Sequence, residues 1–198
     1  MAKIKEESGL QFAFPDDALV IKFDDEEFYR QDFNKLPASK GVDFLTATKN
    51  SSIFVEVKNC LDHENDNRWR IAPNDSKVAT ANTSYPVADR HSLDIEVSQK
   101  VAMTISALMG VLSYGELKSS LEELHQFAEK FVLQTMLDTD KKTIIVLFLE
   151  GDFGSKTRTK KMIMSALQKS MEEKLKWLNC KVSVVDSETY NPKIFEII

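Results

Sequence analysis

The chain has 198 residues, 42% of them hydrophobic, enough for one sizeable α/β core and short for two domains. A net charge of −5 excludes a surface that is basic all over, so attraction to nucleic-acid phosphates has to come from local clusters of Lys and Arg. Cys60 and Cys180 are too few for a disulfide framework or a cysteine-rich zinc site, and the charged start with no spanning apolar run leads to the expectation of a cytoplasmic protein with no membrane partner.

In chain order, residues 18–23 read as a short strand. Asp24, with Glu27 three residues later, fits a capping box opening a helix over 24–34 that carries Phe28, Tyr29 and Phe33. Residues 41–48 and 53–58 read as a β-hairpin. Alternation turns Ile53, Val55 and Val57 to one face, and Glu56 and Lys58 to the other. The hairpin folds Asp43 back beside that pair. Two carboxylates and a lysine on a sheet edge suit a divalent cation, Mg²⁺ or Mn²⁺, which activates water and neutralises charge in phosphate hydrolysis.

A long insertion follows at about 59–92, rich in Asn, Asp, Ser and Thr, with a further short strand expected over 69–72. Arg68 and Arg70 lie here; arginine pairs with phosphate bidentately, and Trp69 offers a face for stacking. The apolar spacing from Ile95 to Leu112 predicts a helix over 93–114 packed on the sheet, and that from Leu117 to Met136 an accessory helix at about 116–137, either a cover or a self-association surface that would make a homodimer. The β-branched run 143–149 reads as a central strand covered on both faces. A turn over 151–155 then leads into a helix opened by Lys156, Arg158, Lys160 and Lys161, either a phosphate-binding end or a solubilising charge run. Strands over 181–186 and 194–198 close the chain, the first parallel to 143–149.

Asp43 and Glu56-Val57-Lys58, in this order and on predicted strands, resemble the motif of the PD-(D/E)xK nuclease superfamily, although Val42 stands where the name-giving proline would be. The resemblance implies a restriction-endonuclease-like, three-layer α/β/α single domain over 1–198, with a central mixed β-sheet flanked by helices. It implies that Asp43 and Glu56 ligate the metal and that Lys58 steers water and stabilises the charged phosphate. An acidic residue of the first helix, Glu27 in preference to Glu26, and a polar residue of the long helix, Gln99, would complete the site. The function so implied is metal-dependent phosphodiester hydrolysis of nucleic acid, with DNA the expected polymer. The alternative is a catalytically silent nuclease-like α/β module for binding or scaffolding, whose charged face is neutralised by internal salt bridges.

Overall fold

The structure, a computed structural model, describes residues 2–84, 86–114, 121–138 and 140–198. A five-stranded mixed sheet runs in the order β3 (Leu19–Lys22), β4 (Phe44–Thr48), β5 (Ser51–Asn59), β6 (Lys142–Glu150), β7 (Cys180–Val185). The first three strands form an antiparallel meander, while β5, β6 and β7 are parallel. The hairpin between β4 and β5 turns at Lys49 and Asn50, so β5 begins earlier than the apolar pattern suggested.

Alternation of side chains gives the central strands β4, β5 and β6 two buried faces, while β7 leaves Lys181 exposed. On one face, Leu45, Phe54, Ile145, Leu147 and Val182 meet the helices α3 (Leu93–Leu112), α4 (Glu122–Glu129) and α5 (Lys160–Lys174). On the other, Phe44, Ile53, Val55, Val57, Val146 and Phe148 meet a second sheet, β1 (Lys3–Glu7), β2 (Leu10–Phe14) and β8 (Glu196–Ile197). The layering is therefore helix, sheet, sheet, which corrects the expected α/β/α sandwich. The reason is topological: two crossovers of the same hand, stepping from β5 to β6 and on to β7, leave α3 and α5 on the same face. The opposite face is closed by the N-terminal hairpin, where Ser8 and Gly9 adopt positive φ values of 52° and 76° in a two-residue turn.

Two further expectations are revised, and the accessory helix is met over its described part. Residues 69–72 follow the single-turn helix α2 (Glu64–Asn67) and form turns and no strand, with Trp69, Arg70 and Ile71 buried. Asp24 lies in a 3₁₀ turn, Phe23–Asp25, and Glu26 precedes the short helix α1 (Glu27–Gln31) without a side-chain cap, so the capping box does not form. The start of the expected accessory helix, 116–120, lies outside the described residues; α4 and a π-helical continuation, Lys130–Thr135, occupy the rest, with Leu133, Met136 and Leu137 exposed near its end. By length and composition, α3 is long and apolar enough to cross a membrane. Its residues Val97, Val101, Thr104, Ala107, Leu108 and Val111 are instead buried in the fold, as in a core helix.

Candidate functional site

The register of β4 on β5 places Asp43, just before β4, opposite Glu56: the Asp43 N–H donates to the Val55 carbonyl at 3.1 Å, and its carbonyl accepts from the Phe23 N–H at 2.9 Å. The backbone leading in is clamped as well. Thr104 Oγ1 accepts from the Val42 N–H at 3.1 Å, and Gly41 lies so close to Phe23 that a Cβ there would sit 2.7 Å from the ring. Asp43 and Glu56 thus share the helix-side face with Lys58, as alternation requires.

Glu56 is fully buried. Its Oε1 accepts from Lys58 Nζ at 2.8 Å and from Lys100 Nζ at 2.6 Å, and its Oε2 has no partner among the described residues. Lys100, on α3, also lies 3.6 Å from Asp43 Oδ1, while Asp43 Oδ2 accepts from the Val57 N–H at 2.6 Å. Glu96, one helical turn before Lys100, sits 3.3 Å from Lys58 and is held by Arg70. Three carboxylates and three cations thus interlock at the carboxyl end of the hairpin's second strand and the first turns of α3. On its other side, Asp43 faces Glu7 and Asp24: one oxygen from each of the three lies within 4.8 Å of the others, and Asp24 Oδ1 is buried without a partner among the described residues.

Protonation follows from this packing. Burial, then the Glu56 charge, push Asp43 up to about 7 against the opposing pull of Lys100, Lys58 and the Val57 N–H. For Lys58, burial alone would lower the ammonium, yet Glu56, Glu96 and Asp43 outweigh it and hold the group well above its ordinary value. Burial would raise Glu96, but Lys58 and Arg70 prevail and bring it down to about 2.

Several expected site residues lie elsewhere. Glu27 is exposed at the start of α1, and Glu26 lies near Lys5 and Glu123; the acid that approaches Asp43 from this region is Asp24. Gln99 is exposed and bonded to Lys40, because the face of α3 that meets the sheet carries Glu96 and Lys100, four apart. The i, i+4 spacing of Glu96 and Lys100 around buried Val97 and Val101 was the signal available in the sequence. Arg70 is buried against Glu96 and is not available to a phosphate. Lys160 is likewise engaged, 2.7 Å from Asp186 and 3.3 Å from Glu150, where it ties the start of α5 to the ends of β6 and β7. Helix α5 begins at Lys160 with Thr159 as its cap, so Lys156 and Arg158 precede it; Lys156 and Lys161 are exposed, and Arg68 and Arg158 face a separate cleft.

Residues 26–198 match the Family of unknown function (DUF6661), and the chain belongs to that family. Asp43, Glu56, Lys58, Glu96 and Lys100 all fall within the matched region, whereas Glu7 and Asp24 precede it. No curated protein and no solved structure matches the chain.

Proposed function

We propose that this member of the DUF6661 family is a metal-dependent nuclease of the PD-(D/E)xK type, with Asp43 and Glu56 as metal-holding carboxylates and Lys58 as their cationic partner. The single observation that carries the reading is Glu56: a fully buried carboxylate, opposite Asp43 across the β4–β5 pair, with Oε2 left without a partner among the described residues. An orphaned buried oxygen costs about 1–3 kcal/mol or more, a cost that a bound cation would remove. Burial and the Glu56 charge raise Asp43 to about 7, and a cation bound there would offset both. Two carboxylates on adjacent strands are a donor set suited to Mg²⁺ or Mn²⁺. The order of the meander, α3 and the parallel β6 supports a restriction-endonuclease-like sheet.

When bound, the ion would supply an activated water and neutralise the phosphate. The chain's own residues have distinct jobs. Lys58, held charged by Glu56 and Glu96, has no lone pair to take a proton near neutrality, so it serves as an electrostatic stabiliser and a positioner of water, not as a general base. Glu96 and Arg70 orient Lys58 from behind. Burial of Asp43 and Glu56 limits bulk water and strengthens every charge interaction at the site.

The second reading, a catalytically silent module, is favoured by the Lys100 ammonium, which lies against both Glu56 and Asp43 and neutralises them internally. Incubation of purified protein with labelled DNA and RNA, in Mg²⁺ or Mn²⁺, alongside calorimetric Mn²⁺ titration, separates the two. On the nuclease reading, Asp43→Ala and Glu56→Ala lose both metal and cleavage, while Lys58→Ala keeps metal and loses turnover. Absence of both Mn²⁺ binding and cleavage in the wild type would leave the silent module standing.

A further inference from the structure

Beyond the carboxyl ends of β5 and β6, the loops after these parallel strands enclose a cleft of about 350 Å³. Ligands of open α/β sheets commonly bind at this edge. Its inner wall is apolar, built from Trp69, Ile71, Phe153 and Ile163. Around this wall stand three cations, Arg68 and Lys77 from one loop and Arg158 from the other. Among the described residues none of the three makes an ion pair or a side-chain hydrogen bond, and no acidic side chain lines the cleft. Their neighbours behave differently: Arg70 is matched by Glu96, and Lys160 by Glu150 and Asp186. In an acidic chain, three unmatched cations facing one cavity mark a place where the anion comes from outside.

The rest of the lining narrows the ligand's chemistry. Among the described residues, the side-chain amides of Asn65 and Asn82 are unengaged, each offering both donor and acceptor. The occupant thus carries a multiply charged anionic group for the two arginines and the lysine, a flat apolar body for the inner wall, and polar edges for the amides. An inorganic anion lacks the body, a sugar phosphate the apolar faces, and an aliphatic acid the edges.

The geometry points to a nucleoside monophosphate site, whether the nucleotide is free or terminates a strand. Because Asp43, Glu56 and Lys58 do not line it, the inference stands apart from the hydrolytic reading.

Calorimetric titration of the full chain with AMP, GMP, CMP and UMP tests it, against inorganic phosphate, ribose 5-phosphate and the unphosphorylated nucleosides. At least one monophosphate should bind saturably, and at least tenfold more tightly than phosphate, ribose 5-phosphate or its own nucleoside. Arg68→Gln, at an exposed position, and Arg158→Gln, at a half-buried one, should each weaken it about tenfold, the value of one charge-assisted hydrogen bond. Lys161→Gln, on exposed surface outside the cleft, should leave the affinity unchanged. A short oligonucleotide with a 5′-phosphate completes the series: tighter binding than the mononucleotide assigns the cleft to strand ends, and weaker binding to free nucleotide. The proposal is overturned if no monophosphate binds below millimolar concentration, if phosphate alone binds as well, or if neither arginine variant weakens binding.

Discussion

Replacing Asp43 by Asn should stabilise the fold at alkaline pH and leave it nearly unchanged in acid. In the folded chain this carboxyl is pushed up from 3.8 to about 7 by burial and by Glu56. Between these values the unfolded chain has released the proton while the folded chain keeps it, so stability falls as pH rises through this window. The group's contribution is fully present below about pH 4 and lost above about pH 7. An elevation of roughly three pH decades corresponds to about 4 kcal/mol. The substituted amide would carry no charge, and its oxygen would still accept from the Val57 N–H, which Asp43 holds at 2.6 Å. For a chain of this length each kcal/mol moves Tm by about 2–4 °C, so Asp43→Asn should melt several degrees above wild type at pH 8.5, with about 16 °C as the upper bound. Melting curves at pH 4, 5.5, 7 and 8.5 in a chelating buffer read the gap directly. A gap independent of pH, or a variant less stable than wild type at pH 8.5, would refute the reasoning. Millimolar Mn²⁺ should narrow the gap, since a cation held by Asp43 stabilises only the wild type.

Three more outcomes follow from particular contacts. Gly41→Ala would set a Cβ 2.7 Å from the Phe23 ring and 3.0 Å from Tyr29, and overpacking at so tight a point should cost about 2 kcal/mol in urea unfolding. Asp94 is buried and accepts from Lys174 at 2.8 Å, from Ser170 at 2.8 Å and from the Asn74 N–H at 3.0 Å, so Asp94→Asn should cost about 2 kcal/mol at pH 7. These partners overcome the burial penalty and hold its carboxyl below the ordinary value, so that cost should shrink as pH falls below about 4 and the native carboxylate is protonated. Lys160→Met should destabilise by releasing Asp186 and Glu150, whereas Lys161→Met, on exposed surface, should leave the urea midpoint within error; equal effects would show that the Lys160 pairs contribute nothing.

Much of the local structure was legible in the chain because it depends on period alone. Alternation over Ile53, Val55 and Val57 placed Glu56 and Lys58 on one face, and the hairpin set Asp43 beside them; both are consequences of a two-residue repeat and a short turn. The apolar run in β6 and the helical spacing of α3 marked a buried strand and its cover for the same reason. The N-terminal hairpin was within reach too: Ser8-Gly9 between two alternating stretches is a hairpin signature.

Whatever depended on which elements meet in space was decided by tertiary packing. The direction of the two crossovers put α3 and α5 together and left the far face to a second sheet, a choice no local pattern encodes. The rotation of α3 about its axis turned Glu96 and Lys100 toward Glu56 and Lys58 and sent Gln99 to solvent. The same holds for charge. A sequence shows Arg70, Lys160 and Arg158 as equivalent cations, but whether a cation is free depends on the carboxylates that distant segments bring to it: Glu96 claims Arg70, Asp186 and Glu150 claim Lys160, and no acid reaches Arg158 among the described residues.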